Sequence, residues 1–315
     1  MSFPRLILFS ILLAWGVVAL GAYVRLSDAG LGCPDWPGCY GQLGAPATAQ
    51  QRQAAQQAFP DRPVETHKAW KEMIHRYAAG SLGLLILGIF VRSWRERAVI
   101  LRLSALLLAL VAFQALLGRW TVTDLLRPAI VSAHLLGGMA TLALLVWIGL
   151  EARIFGVARA GSSGLRLWAL LGLAALAAQI ALGGWTSSHY AGLVCGEGLS
   201  CRGSWDPAMD MAAAFSLSTR GAPSLDALTA IHWSHRIGAL AVAAIVAGFA
   251  TRLLRQAGMR RFAWVLLALL ALQIALGLAN VAWDLPLAAA VLHNAVAALL
   301  LALMVAVNWK LWRDS

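Results

Sequence analysis

Glu72, His75 and Arg76 fall within five positions in the stretch "KEMIHRYAAG", Lys71 to Gly80, at the start of a run otherwise apolar enough for lipid. Ionisable side chains inside such a run are costly and point to function. The chain has seven histidines, at 67, 75, 134, 189, 232, 235 and 293. His67 and His189 fall in or beside outer loops and read as solvated surface residues. His75, His134, His235 and His293 come one each from the second, fourth, sixth and eighth apolar runs. A single buried histidine is explained equally well by an interhelical hydrogen bond. Two at matched depth in one four-helix unit have the geometry of bis-imidazole ligation of haem iron. A zinc site would want three or four nitrogen, sulfur or carboxylate ligands, so two histidines in a large apolar bundle suit a flat, apolar macrocycle better.

The elements that must carry these residues are membrane helices. Of 315 residues 60% are hydrophobic and 12% charged, outside the range of a soluble domain. Eight runs reach the roughly 20 residues needed to cross a bilayer core: about 6–24, 70–91, 103–122, 128–150, 167–187, 229–250, 262–282 and 286–309. Runs of this length form helices, which satisfy their own backbone hydrogen bonds. The first resembles a secretory signal because Arg5 precedes it, but its repeat counterpart lies in mid-chain, so it reads as a retained helix. Lysine and arginine set the orientation. Fourteen lie on one side: Arg5, Arg92, Arg95, Arg97, Arg102, Arg153, Arg159, Arg166, Arg252, Arg255, Arg260, Arg261, Lys310 and Arg313. The longer opposite loops hold seven: Arg25, Arg52, Arg62, Lys68, Arg127, Arg202 and Arg220. Both termini are therefore expected in the cytoplasm, or in the matrix of a mitochondrion. This asymmetry accounts for the net charge of +11 and leaves nucleic-acid binding without support.

An internal repeat organises the runs. "AQIALG" (Ala178 to Gly183) nearly recurs as "LQIALG" (Leu272 to Gly277), with "FQALLG" (Phe113 to Gly118) a weaker copy. A shift of 162 places Gly21 on Gly183, Gly30 on Gly192, Cys33 on Cys195 and Cys39 on Cys201; 160 places His75 and Arg76 on His235 and Arg236; 159 places Gln114, Gly118 and His134 on Gln273, Gly277 and His293. The expected fold is all-α: eight transmembrane helices as two tandem, similar four-helix bundles, residues 1–157 and 158–315. With an even number of helices each, the halves point the same way through the membrane.

Each of the four matched histidines lies about five to seven residues past its run's outer end, a common depth of very roughly 10 Å at about 1.5 Å per residue. Two sites side by side at one depth argue against electron transfer across the membrane. The halves differ where Glu72 precedes His75 by three residues and His232 so precedes His235. Positions i and i+3 share a helix face, so Glu72 is expected at the cavity of His75. That asymmetry suggests divided labour between a fixed haem and a haem that is acted upon. A dipole-favoured acid or a partner of Lys68 or Lys71 is the plainer reading of Glu72. Arg76 and Arg236 are candidate partners of haem propionates, or snorkel to the outer headgroups. Gln114 and Gln273 read as interhelical hydrogen-bonding residues.

All four cysteines lie in the two long outer loops as C-x5-C pairs, "CPDWPGC" (Cys33 to Cys39) and "CGEGLSC" (Cys195 to Cys201). Their even number and an oxidising exterior predict two short disulfides. A loop staple and a redox-active or gating pair both remain open for the first.

Together, Glu72, His75 and Arg76 in E-x-x-H-R, His235 with Arg236, the single His134 and His293, and the outer "GLGCPDWPGCYG" resemble the haem A synthase family over essentially the whole chain. The resemblance implies an oxidoreductase that converts the C8 methyl of haem O to a formyl group, giving haem A for terminal oxidases. That change removes four electrons. It further implies that His235 and His293 hold a permanent haem b, that His75 and His134 border the substrate haem, that Glu72 is the catalytic carboxylate, and that Cys33 and Cys39 form a functional disulfide. Haem O synthase and cytochrome oxidase assembly factors are the implied protein partners, a homo-oligomer stays open, and a bacterial inner membrane with periplasmic cysteine loops is the implied location. The rival readings are a non-enzymatic haem carrier and a two-haem electron-transfer cytochrome.

Overall fold

The computed structural model describes residues 2–155, 163–196, 198, 200–217 and 222–312. Arg159, Arg220 and Arg313, used above to orient the chain, lie outside the described residues. Eight long helices are present, each long and apolar enough to cross a membrane: α1 (Phe3–Leu26), α3 (Thr66–Arg95), α4 (Leu101–Thr123), α5 (Pro128–Glu151), α6 (Ser163–Ser188), α8 (Leu225–Leu253), α9 (Arg260–Ala282) and α10 (Leu287–Trp312). Two short helices sit in the long loops, α2 (Ala49–Ala58) and α7 (Met211–Ala214), with a single 3-10 turn at Ala191–Leu193. The described residues contain no β-strand beyond two isolated bridges. The chain is an all-α, multi-pass membrane protein.

The apolar runs mark the helices to within about a turn, and the differences have a cause. α3 and α8 begin four residues earlier than the runs at 70 and 229, because the first turn of α3 carries Thr66, His67 and Lys68 and that of α8 carries Asp226 behind a capping serine. Ser224 caps α8 by accepting from the Ala227 N–H at 3.2 Å, and Asp226 lies in its first turn, where acids complement the helix dipole. The loop helix α2 has no apolar run to reveal it. Its signal is the capping box at Thr48 and Gln51, whose side chains satisfy each other's backbone N–H groups.

The chain divides into two compact units, Met1–Ala152 and Arg153–Ser315. In the first, α1 packs on α3 and α5, and α4 packs on the same two; in the second, α6 packs on α8 and α10, as does α9. Each unit is thus a closed four-helix ring in which the two histidine-bearing helices stand diagonally opposite. Apolar helices gain little hydrophobic free energy from one another in lipid, so contact relies on small residues and polar links. In the second unit the buried Asn308 donates to the Ala169 carbonyl of α6 at 3.0 Å, and Arg166 Nε donates to the Leu311 carbonyl at 3.0 Å.

Both units repeat the same turn between their last two helices. Leu126 donates its N–H to Thr121 O at 2.8 Å, and Leu285 to Asn280 O at 2.8 Å. Both leucines have positive φ, 57° and 56°. Their side chains press on Gly30 and Gly192, where an added Cβ would meet Leu126 at 3.3 Å and Leu285 at 2.8 Å.

Candidate functional site

The two long cysteine-bearing loops are built as two similar clamps. Disulfides join Cys33 to Cys39 and Cys195 to Cys201. After each second cysteine the chain reverses through two residues of positive φ, Tyr40 (54°) and Gly41 (74°) or Arg202 (55°) and Gly203 (78°), the requirement of a type I′ turn. Cys39 N–H donates to Gln42 O at 2.8 Å and Cys201 N–H to Ser204 O at 2.9 Å. In the first loop Asp35 accepts from the Tyr40 and Gly41 N–H groups at 2.6 and 2.8 Å. Tyr40 donates its hydroxyl to Pro63 O at 2.8 Å; burial, with the charge of Glu65 adding to it, pushes that phenol above its usual range.

One arginine holds each loop down. Arg76 Nη1 donates to the carbonyls of Asp35 (2.9 Å), Pro37 (3.3 Å) and Gly38, while Nη2 pairs with Glu72. Arg236 Nη1 donates to Gly198 O at 3.0 Å and Ser200 O at 2.9 Å. The structure therefore assigns both arginines a task that the sequence reading did not foresee, gripping the carbonyl face of a cystine loop. No single motif encodes this contact, since the partners are backbone atoms about 40 residues away.

Glu72 is buried, 5% exposed. One carboxylate oxygen accepts from the Cys33 N–H at 2.9 Å and the other from Arg76. The acid is thus tied directly to the first cystine. An ionised carboxylate has about four lone-pair sites, so each oxygen keeps acceptor capacity beyond the donor it holds. At the matching place in the second unit, His232 Nδ1 lies 2.8 Å from the Ala191 carbonyl. A carbonyl only accepts, so Nδ1 carries the proton and Nε2 accepts from Arg236 Nε at 3.1 Å. With both nitrogens spent, His232 is a structural link, and the loop-to-helix tie made by a carboxylate in one unit is made by an imidazole in the other.

His75 on α3 and His134 on α5 are half-buried on diagonally opposite helices of the first unit, and His235 on α8 and His293 on α10 form the corresponding pair in the second. His75 lies nine residues after Thr66 and His235 ten after Leu225, whereas His134 and His293 each lie six residues into their helices. The extra N-terminal turn of α3 and α8 accounts for the difference.

The donor set fits haem. Nδ1 of His75, His134 and His293 is buried with no hydrogen-bond partner, and Gln179 occupies His235 Nδ1, which leaves Nε2, a nitrogen suited to iron, uncommitted in His75, His134 and His235, while in His293 it faces Gln273. Among the described residues no three histidines, cysteines or acids gather as a bare metal site. Two opposed imidazoles in an apolar ring of helices are what an axially ligated macrocycle requires.

The glutamines treat the pairs unequally. Gln114 Nε2 donates to the His134 carbonyl at 2.9 Å, and Gln179 Nε2 likewise to the His235 carbonyl at 2.9 Å, but His134 Nδ1 has no hydrogen-bond partner. Gln179 lies 3.0 Å from His235 Nδ1, and Gln273 3.2 Å from His293 Nε2. Both second-unit imidazoles therefore have an amide neighbour and neither first-unit imidazole does. Gln179 was missed as a site residue although it sits in the repeated "AQIALG"; its counterpart under the 162-residue shift is Val17. His189 also differs from expectation. It packs on Trp185, ring centroids 4.4 Å apart, with Nδ1 3.0 Å from the Trp185 carbonyl, and burial pushes its imidazole below the usual value. The apolar tryptophan one turn away draws in a side chain that its position near a loop marked as solvated. His67 is exposed.

Comparison with known proteins agrees with this geometry. The family described as cytochrome oxidase assembly protein matches the chain over residues 4–305. A protein of Shewanella oneidensis named heme A synthase is 43% identical over 308 residues, covering 95% of this chain and 93% of that protein. One of the same name from Caulobacter sp. is 29% identical over 328 residues, covering 96% and 93%. A protohaem IX farnesyltransferase 1 of Natronomonas pharaonis shares a 146-residue stretch at 30% identity, 46% of this chain and 27% of that protein.

Proposed function

Because the chain belongs to the cytochrome oxidase assembly protein family, among relatives named heme A synthase, we propose that it oxidises the C8 methyl of haem O to the formyl group of haem A. It is an enzyme and an oxidoreductase. The observation that carries the reading is the pair of opposed imidazoles in each unit, joined in only one unit by a buried carboxylate.

The roles divide by unit. His235 and His293 hold a resident haem b, whose iron supplies one-electron redox chemistry when bound. The amide of Gln179 at His235 Nδ1 supports this assignment, since partners around ligating imidazoles restrict their rings and tautomers, whereas Gln273 sits at His293 Nε2 and would have to give way for that nitrogen to ligate. His75 and His134 border the substrate haem O and lack such restraints, as suits a macrocycle that must enter and leave. Glu72 is the catalytic carboxylate: its uncommitted lone pairs can accept a proton or orient a water beside the reacting methyl, or stabilise positive charge developing there. Arg76 and the Cys33 N–H fix its two oxygens, and Arg76 neutralises its charge when the acid is not reacting. Arg76 and Arg236 lie where haem propionates would reach the outer surface, with the loop carbonyls as competitors for their donors.

The excess of lysine and arginine on the side of the termini supports a bacterial inner membrane location with the cystine loops periplasmic. The segment shared with a farnesyltransferase named for protohaem IX supports haem O synthase as a functional neighbour, with cytochrome oxidase assembly factors downstream. The experiment is co-expression with a source of haem O in a host that makes no haem A, followed by extraction and mass identification of the pigments. Formylated haem that depends on this chain is the expected result. Abundant, haem-loaded protein with only haem B and haem O, in membranes shown to support a known haem A synthase, would favour a carrier or an electron-transfer cytochrome.

A further inference from the structure

Each imidazole of the two pairs rests against a glycine of a neighbouring helix. A Cβ built on Gly21 of α1 would stand 3.1 Å from Cε1 of His75, and one on Gly118 of α4 would stand 3.3 Å from Cε1 of His134. In the second unit a Cβ on Gly183 of α6 would stand 3.1 Å from Cε1 of His235, and one on Gly277 of α9 would stand 3.2 Å from Cε1 of His293. Optimal carbon contacts lie near 3.5–4.0 Å, so each ring would have to yield by a few tenths of an ångström. Four helix pairs make the same contact with the same ring atom.

Glycine is otherwise unfavourable in a helix, through the backbone entropy it loses on folding. Other glycines of these helices show that small size is not demanded everywhere: Gly16 on α1 and Gly80 and Gly83 on α3 have nothing within 4 Å of an added Cβ. The ring contacts are also where displacement would matter. Cε1 lies between the two ring nitrogens, so pressure there turns Nε2. His235 is further restrained by Gln179 at Nδ1.

Resting on the haem reading, we propose that Gly21, Gly118, Gly183 and Gly277 are positioning residues, notches that fix how the four imidazoles are turned within their bundles. The second-unit notches set the ligation of the resident haem, and the first-unit notches the docking of the substrate haem.

The test uses full-length protein purified from a host that supplies haem b, as parent, Gly183→Ala, Gly277→Ala, Gly21→Ala, Gly16→Ala and His235→Ala. It reads haem per protein, midpoint potential, the low-spin electron paramagnetic resonance signature and helix content. Gly183→Ala and Gly277→Ala are expected to lose much of the haem or to shift its potential and low-spin signature, at unchanged helix content. Gly16→Ala should match the parent. Gly21→Ala should keep the resident signature and bind added haem O more weakly. Parent-like haem content, potential and signature in both second-unit alanine variants, with His235→Ala stripped, would overturn the notches and leave the haem reading standing. Full haem retention in His235→Ala would overturn both. Should Gly183→Ala fail to fold, Gly277→Ala decides by the same criteria.

Discussion

Replacing Arg76 by methionine removes the guanidinium and keeps much of the side-chain volume. In the parent this group pairs with Glu72 and donates to three loop carbonyls, those of Asp35, Pro37 and Gly38. The two paired side chains are 12% and 6% exposed, so solvent screening is slight. Removing one partner of a buried pair costs about 3–5 kcal/mol, because the other charge is left uncompensated. Glu72 can escape that cost only by protonation or by releasing the Cys33 N–H and turning outward, and either weakens the tie between α3 and the loop. At about 1.4 kcal/mol per factor of ten, even the lower figure raises the open population of the loop about 10²-fold. Hydrogen–deuterium exchange read on a peptide containing Cys33 measures this directly. Arg76→Met should speed exchange there by about that factor, while peptides from the interior of α5 stay protected. The double variant Glu72→Gln/Arg76→Met removes the stranded charge and keeps an acceptor for Cys33, so its loop should be less open than that of Arg76→Met alone, a coupling above about 1 kcal/mol. Parent-like exchange around Cys33 in Arg76→Met would refute the clamp.

Glu72→Ala should keep its resident haem absorbance and lose haem A formation; wild-type product levels would make the carboxylate structural. Cys33→Ser/Cys39→Ser opens a short loop worth about 2 kcal/mol on the chain-entropy model, so its exchange around residue 33 should rise less than in Arg76→Met; a larger rise would place the disulfide above the arginine as the main restraint. Asn308→Leu deletes the α10–α6 hydrogen bond and should destabilise the second unit in detergent by about 0.6–1.7 kcal/mol, seen as a lower unfolding midpoint, with no change in haem spectrum before the transition.

How far the fold could be read from sequence follows from which forces act locally. Eight apolar runs became eight helices because a backbone in lipid has almost no alternative to satisfying itself within the segment. Helix α2 has no apolar stripe to mark it, and its local signal is the capping box at Thr48 and Gln51. Periodic matching of Gly21, Gly118, Gly183 and Gly277 alongside the histidines was visible as spacing, yet spacing does not say that one residue touches the other. The role of Gln179 is not legible along the chain, because a hydrogen bond to a ring on another helix has no local signature.

Sequence alone determined the residue types and their register: four histidines on alternate spans, a carboxylate in one half where the other has an imidazole, and two cysteine pairs 162 residues apart. These are properties of order along the chain, and the cost of polar groups in lipid makes them conspicuous. The tertiary structure decided which groups meet. It put the arginines on loop carbonyls, turned Glu72 toward the Cys33 N–H, gave His232 two partners, and set the imidazoles against glycine notches. Contacts between residues on different helices and loops depend on how helices close into a ring, and that closure depends on the packing of every side chain between them.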